Sequence, residues 1–173
     1  MKLETTYFYT ATILNWISLL HNDSYKKIIL ESMEYLVLRN KLKIYGFVIM
    51  PNHIHAVWQN IELNGKEMPV ESFMKFSAHK FQNIIKTTNI GLYSQFQVNK
   101  TDRRAQFWQR DALPIEIFSR EMLEQKLNYI HLNPMQEHWN LVSDPNDYEF
   151  SSCSFYERND KRYEWLTDYR EDF

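Results

Sequence analysis

The spacing of apolar side chains along the chain changes several times between the two-residue repeat of strands and the longer repeat of helices. Runs rich in aromatic and β-branched residues predict strands at residues 3–11, 43–50 and 55–59, and one or two strands within residues 107–118. Apolar positions at helical spacing predict helices at residues 24–40, 70–87 and 119–133. Before the last predicted strand, residues 89–104 predict a long polar connection.

The order of these elements, strand-helix-strand-strand-helix-strand-helix, predicts one α+β domain. The Met50-Pro51-Asn52 break indicates either two strands joined by a turn or one interrupted strand, because proline lacks an amide donor. With two strands, the order fits a ferredoxin-like antiparallel sheet with helices packed mainly on one face. Ser119 is a candidate N-cap for the third helix, and Pro134 should end that helix.

The first two helices carry apolar stripes that predict their buried faces. On the first helix the stripe consists of Ile28, Ile29, Tyr35, Leu36 and Leu38. On the second helix it consists of Phe73, Phe76, Phe81 and Ile84. Because 44% of the 173 residues are hydrophobic, we expect these faces to belong to a packed globule.

Composition narrows the class of protein further. The single cysteine, Cys153, cannot form an internal disulfide, which favours a reducing cytoplasm. No run of about 18 apolar residues occurs, so we expect no membrane-spanning segment. The formal net charge of −2 argues against a strongly basic nucleic-acid binder, whereas an aromatic content of 16% leaves side chains that could stack on bases.

Two histidines, His53 and His55, are the first candidates for chemistry. Alternate residues of a strand point to the same face, so both imidazoles share a face while Ile54 points into the core. Two imidazoles at this spacing can bind one divalent cation, although a pair of surface histidines is the simpler interpretation of the spacing alone. The preceding Met50-Pro51-Asn52 turn and a second matching segment favour the metal site.

That second segment lies on the predicted third helix, where Tyr129 and Asn133 are one turn apart on the same stripe. The carbonyl oxygen of Asn133 is a hard ligand that could complete a site with the two histidines. The charge of a cation would favour the phenolate of Tyr129, which is then a candidate nucleophile toward a bound phosphodiester. Taken alone, Tyr129 would be an ordinary aromatic residue on a helix face.

These two segments resemble a known family. The run from Gly46 to His55 resembles the hallmark of single-tyrosine HUH transposases, and residues 129–134 resemble the catalytic-helix signature of their REP-associated branch. This branch is related to small insertion-sequence transposases that act on single-stranded DNA. Residues 107–110 resemble the strand before that helix and residues 148–152 the aromatic-Ser-Ser element after it, so the resemblance covers residues 3–156.

The resemblance implies that Tyr129 attacks single-stranded DNA that forms hairpins from repetitive palindromic elements, giving a 5′-phosphotyrosine link and a free 3′-hydroxyl. His53, His55 and Asn133 would hold Mg²⁺ or Mn²⁺. The predicted function is therefore a metal-dependent single-stranded DNA endonuclease and strand-transferase, acting as a monomer or a homodimer. It also implies a transposase-like domain over residues 1–156, followed by a tail, residues 157–173, that packs on it.

Other polar residues have weaker assignments. Arg103, Arg104 and Arg110 are candidates for phosphate contacts, and a solvated basic loop is the alternative. His131 points about 160 degrees away from the stripe of Tyr129 and Asn133 on an ideal helix, so we expect it to support the structure rather than transfer protons. His79 and His138 are expected to be surface groups.

Two alternative functions stay open at this point. The first is a domesticated, non-catalytic nucleic-acid-binding module that keeps the fold and binds without forming adducts. The second is a phosphodiesterase that uses a metal-bound water in place of Tyr129, in which case a phenylalanine at this position would preserve cleavage.

Overall fold

The described residues, 1–99, 104–110 and 114–173, form a four-stranded antiparallel sheet with helices in this computed structural model. The strands are β1 (Thr5–Thr12), β2 (Leu42–Ile49), β3 (His53–Asn60) and β4 (Ile115–Ile117). The helices are α1 (Asp23–Leu38), α2 (Pro69–Thr88), α3 (Ile90–Ser94), α4 (Arg120–Leu132) and α5 (Cys153–Glu157), with short 3-10 turns between them. The strand order β2-β3-β1-β4 is that of a ferredoxin-like sheet, which confirms the predicted fold class.

The sheet has two faces with different partners. Paired residues of antiparallel strands point to the same face, so Tyr9, Ala56 and Trp58 lie on one face and Thr10 and His55 on the other. Trp58 contacts Phe73 of α2, and α2 packs against α1, so the two longest helices share the first face. Helix α4 packs on β2 and β3 from the opposite face, which is the face of the two histidines.

A tight hairpin links β2 to β3 and resolves the Met50-Pro51-Asn52 ambiguity in favour of two strands. The amide of Met50 donates to the carbonyl of His53 at 2.8 Å, and Pro51 lies in the turn, outside the strand ladder. His53 is consequently the first residue of a central strand, and His55 follows on the same face.

Helix α4 begins and ends where the sequence predicts. The Ser119 side chain accepts a hydrogen bond from the Met122 amide at 3.2 Å and so caps the first turn. The helix ends at Leu132, and a 3-10 turn containing Pro134 follows it.

Gly46 of β2 allows α4 to approach the sheet closely. A Cβ atom at Gly46 would lie 2.3 Å from Leu127 Cδ2 and 3.0 Å from Ser152 Oγ, both on the face of the histidines. Real Cβ atoms essentially never approach another heavy atom as closely as 2.3 Å. A side chain at Gly46 would therefore displace the Leu127 side chain and disturb the packing of α4 on the sheet.

The prediction of one or two strands within residues 107–118 is partly confirmed. Only Ile115–Ile117 is a strand, while Trp108 makes a single bridge with Ile13, and residues 111–113 lie outside the described part. Burial explains the aromatic character that suggested a strand: Trp108 Nε1 donates to Ser77 Oγ of α2 at 3.0 Å. Pro114, which cannot donate to a ladder, directly precedes the short strand.

The prediction of a polar connection over residues 89–104 is partly wrong. Helix α3 occupies its beginning, capped by Asn89, whose side chain accepts from the Leu92 amide at 2.9 Å. Tyr93 within α3 and Phe96 beyond it are buried. A few aromatic contacts hold α3 and the residues after it in place. Because no long amphipathic face is involved, the sequence of this segment shows no helical stripe. Residues 100–103 lie outside the described part.

Three predicted core residues are exposed instead. Tyr35 and Leu38 of α1 are 52% and 71% exposed, and Phe76 of α2 is 42% exposed. The buried stripe of α1 runs through Ile29, Met33 and other residues at spacings of three and four, and Tyr35 and Leu38 lie off it.

Residues 145–173 run along the outer edge of β2. The Ile49 amide donates to the Phe150 carbonyl at 2.9 Å, and the Thr167 amide donates to the Ile44 carbonyl at 2.9 Å. These bonds satisfy main-chain groups that an edge strand would otherwise expose. The division into a domain of residues 1–156 and a tail stays a prediction. Among the described residues, no helix combines the length and the apolar character needed to cross a membrane.

We predict that Gly46→Ala destabilises the fold by about 1–3 kcal/mol, because the added methyl group overpacks the contact with α4. Urea unfolding measures this change. The matched control is Gly91→Ala in α3, where the nearest atom to the added Cβ is 3.6 Å away. Equal loss of stability in both variants would show that α4 does not depend on Gly46.

Candidate functional site

A small pocket lies between β3 and α4, on the face of the sheet opposite α1 and α2. Its volume is about 210 Å³. Nine residues line it: Thr10, Trp16, His53, His55, Tyr129, Asn133, Gln136, His138 and Trp139. The structure therefore brings together His53, His55, Tyr129 and Asn133, the four residues that the sequence singles out as a site, within one chain.

Hydrogen bonds hold both imidazoles in place. Asn52 Nδ2 donates to the Trp16 carbonyl at 3.3 Å, so its Oδ1 is the atom that accepts from His53 Nδ1 at 2.7 Å. His55 Nδ1 is hydrogen-bonded to Thr10 Oγ1 at 2.7 Å. Nδ1 of His53 is therefore a donor, so its Nε2 keeps the lone pair, which is the arrangement found in metal-binding histidines; the Thr10 hydroxyl can serve His55 Nδ1 as acceptor or donor, and acceptance gives His55 the same arrangement.

Burial keeps these imidazoles neutral. It lowers the pKa of His53 to about 4, with the charge of His138 adding to the effect. It lowers the pKa of His55 to about 3, with smaller contributions from His53 and Lys126. Neutral nitrogen is the form that binds a cation, so neither ring has to lose a proton first at neutral pH.

Tyr129 lies beside His55 on α4. Its ring centroid is 5.4 Å from that of His55 and 6.1 Å from that of Phe8, and its side chain is 45% exposed. The phenol therefore borders the pocket while it stays open to solvent. Lys126, one turn earlier on the helix, lies over the Phe8 ring and adds a positive charge to this side of the site.

Asn133 lies at the end of α4 and is 2% exposed. Its side-chain amide makes no hydrogen bond with any group in the described part of the chain. Its amide is not among the fully buried side-chain atoms that lack a partner, which in the described part of the chain are Trp58 Nε1 and Asn60 Oδ1, and the residue lines the pocket. Its position in the pocket is the one expected of a group that binds a ligand.

The donor set fits a divalent cation. Among the described residues, no group of three histidine, cysteine, aspartate or glutamate side chains could hold a metal ion, and the Asn133 oxygen is a further candidate ligand in the pocket of the two histidines. His53, His55 and Asn133 would supply two nitrogens and one oxygen. Such a mixed set suits Mn²⁺ better than Mg²⁺, which prefers oxygen ligands.

His131 faces away from the pocket. It is buried, and its Nε2 shares a hydrogen bond with Ser152 Oγ at 2.8 Å. The Ser152 hydroxyl also accepts from the Phe47 amide at 2.9 Å, so this contact ties α4 to β2. Burial lowers the pKa of His131 to about 4.

Sequence reasoning missed the rim of the pocket. His138, expected to be a surface group without a partner, is exposed but lines the pocket, and its ring lies 5.2 Å from that of Trp139. Trp16 and Trp139 each contact the His53 ring. The turn at Pro134 folds the chain back over the end of α4. This turn was the available sequence signal that Trp139 and His138 lie near the site.

Of the predicted phosphate-binding arginines, Arg104 and Arg110 are not among the described residues that line this pocket. Arg104 is exposed, and Arg110 borders a different pocket together with Tyr9 and Met74, on the face of α1 and α2. Arg103 lies outside the described residues. Their contact with phosphate stays a prediction.

Comparison with solved structures provides a guide to the fold. No family model and no curated protein matches the chain. The chain is similar to a structure described as a REP-associated tyrosine transposase bound to a REP hairpin, with 21% identity and a TM-score of 0.59. The similarity covers 88% of this chain and 78% of that one. At this identity it shows a shared fold.

We predict that the metal-free protein loses stability as the pH falls below 6.5, the ordinary imidazole pKa. The folded pKa values lie below the unfolded ones, so in this range the unfolded chain binds more protons and folding becomes less favourable. Each buried histidine contributes up to about 1.4 kcal/mol per pH unit, down to its folded pKa.

Urea unfolding in EDTA at a series of pH values measures this dependence. Replacing both His53 and His55 by glutamine should make it shallower, whereas the matched change His79→Gln, at an exposed position of α2, should leave it unchanged. Equal pH dependence of stability in the parent protein, the double variant and His79→Gln would mean that His53 and His55 are not held neutral.

Proposed function

We propose that this protein is a metal-dependent, transposase-like enzyme that nicks and rejoins single-stranded DNA through a phosphotyrosine intermediate. The observation that carries the proposal is the meeting of His53, His55, Tyr129 and Asn133 in one pocket of one chain. The shared fold with a hairpin-bound tyrosine transposase supports it. We also propose that the protein belongs to the REP-associated branch of these transposases.

In this proposal Tyr129 is the nucleophile. Its phenol gives up its proton to solvent, and the oxygen attacks a phosphodiester and forms a new P–O bond. The bond from phosphorus to the 3′-oxygen of the neighbouring nucleotide breaks, and that oxygen leaves as a hydroxyl after taking up a proton from solvent. The 5′-phosphate stays joined to Tyr129. Attack by a 3′-hydroxyl on this link reverses the chemistry, so rejoining needs no ATP.

The histidine pair and Asn133 are assigned to hold the cation. A bound Mg²⁺ or Mn²⁺ would supply Lewis-acid stabilisation of the charge that develops on the phosphate. His53 and His55 would enter the reaction already neutral and oriented, because burial and the bonds to Asn52 and Thr10 fix them in the free protein. Asn133 would place its oxygen beside them from the end of the helix that carries Tyr129.

The proposed substrate is a single strand that bears a hairpin. A single strand of DNA suits the site because the pocket is small and open, with aromatic rings at its rim. The net charge of −2 implies that binding relies on these local contacts more than on long-range attraction to phosphates. The hairpin itself is taken from the related transposase structure.

We predict that Tyr129→Phe abolishes a covalent protein–DNA adduct that forms with a 3′-labelled, hairpin-bearing oligonucleotide in Mn²⁺. Loss of the hydroxyl removes the oxygen that is assigned to make the link. A denaturing gel detects the adduct. The matched control is Tyr35→Phe, because Tyr35 is a similarly exposed tyrosine, 52% exposed, on α1.

The same gel separates the alternatives. Cleavage that survives in Tyr129→Phe but disappears in His53→Ala would favour hydrolysis by a metal-bound water. Binding without cleavage or adduct in the parent protein would favour a non-catalytic nucleic-acid-binding module. Either result would contradict the tyrosine mechanism.

We predict that Asn133→Ala weakens Mn²⁺ binding by at least about ten-fold, because one of three protein ligands is lost while two imidazoles remain. Isothermal titration of the DNA-free protein with Mn²⁺ measures this. Asn83→Ala, at an exposed position of α2, is the control. An unchanged affinity in Asn133→Ala would remove Asn133 from the metal site.

A further inference from the structure

Trp16 is an exposed indole placed at the mouth of the pocket. It is 60% exposed, which is unusual for tryptophan, and it lines the pocket together with His53 and Tyr129. Its ring centroid lies 6.3 Å from that of His53, at an interplanar angle of 71°. The indole and the His53 ring therefore meet in an edge-to-face contact. Much of the indole surface stays open to solvent.

The backbone that presents Trp16 is strained. Asn15 and Trp16 are consecutive residues in the left-handed region, with φ values of 54° and 57°. Asparagine tolerates this conformation, but a bulky residue rarely adopts it, and glycine would be the ordinary choice. A strained, exposed tryptophan contributes little to folding, so its presence calls for a role outside the core.

Hydrogen bonds connect this strained turn to the histidine pair. The Trp16 amide donates to the Ile13 carbonyl at 3.0 Å. The Trp16 carbonyl accepts from Asn52 Nδ2, and the same Asn52 side chain accepts from His53 Nδ1. One amide side chain thus links the orientation of His53 to the backbone that carries Trp16, which makes this turn a built part of the site.

Trp139 borders the pocket as a second indole. Its ring centroid lies 5.8 Å from that of His53, and His138 packs against it. Within the described part of the chain, the rings of Trp16 and Trp139 do not contact each other, although both contact His53. Two indoles therefore flank the histidine that is assigned to the metal, with the pocket between them.

We propose that Trp16 is the stacking platform for one unpaired nucleobase of the strand whose phosphate lies at His53 and His55. This inference rests on the proposed function and adds a position-specific contact to it. A base ring suits an open indole face, and stacking on aromatic side chains tolerates any base. The separation of Trp16 from His53 is comparable with that between the base and the phosphate of one nucleotide.

Fluorescence anisotropy tests the platform with a fluorescein-labelled oligonucleotide that has a hairpin and a thymidine tail. All proteins carry Tyr129→Phe so that the strand is not consumed. We expect Trp16→Ala to weaken binding about 5- to 100-fold, and Trp16→Phe to retain most of the affinity. Tyr35→Ala, which removes an exposed aromatic ring from α1, is the control and should bind as the parent does.

A scan with one abasic nucleotide at each tail position identifies the base. Removing the stacked base should weaken binding by the protein with Trp16 and leave binding by Trp16→Ala unchanged, at one position only. The melting temperature of Trp16→Ala should not fall, because the ring is exposed and its backbone strained. Equal binding by the Trp16 and Trp16→Ala proteins, or a loss that is the same at every abasic position, would overturn the proposal.

The outcome is separable from that of the proposed function. If the parent forms the Tyr129 adduct but the abasic scan shows no coupling to Trp16, the platform is wrong and the tyrosine chemistry stands. If the coupling is present but no adduct forms, the platform stands in a protein that binds single strands without cutting them. Failure of the parent to bind the oligonucleotide would count against both.

Discussion

The close contact between α4 and the sheet at Gly46 is the constraint on which the candidate site depends. Leu127 occupies the space that a side chain at Gly46 would need, and Tyr129 and Asn133 follow on the same helix. The Tyr129 ring consequently lies within 5.4 Å of the His55 ring, measured between centroids. The hydrogen bond between His131 and Ser152 holds the buried side of α4 in place. That side of α4 therefore packs on the protein, while the side with Tyr129 and Asn133 lines the candidate site.

The free protein already holds the candidate metal ligands in the form that a cation requires. Burying two imidazoles costs stability below the ordinary imidazole pKa, and a core of apolar residues would avoid that cost. The bonds from Asn52 and Thr10 limit the rotation of the rings, so little reorganisation is needed on binding. Asn133, at the end of α4, lines the same pocket as the two imidazoles.

Local sequence patterns predicted the parts of the site, and the fold determined how they meet. Strand alternation placed His53 and His55 on one face, and the spacing of Tyr129 and Asn133 placed them on one stripe of a helix. The contact of Trp16 with His53 depends on a left-handed turn that no periodicity encodes. Phe107 and Trp108 pair with the end of β1 through a single bridge only, and burial against α2 accounts for their aromatic character.

A crystal structure with Mn²⁺ tests the central claim most directly, because the anomalous signal of manganese locates the ion independently of any assumed ligand. The account predicts one strong peak between Nε2 of His53, Nε2 of His55 and Oδ1 of Asn133, all from the same chain, with Tyr129 beside it. A peak elsewhere, or no peak in a well-ordered pocket at saturating Mn²⁺, would contradict the account.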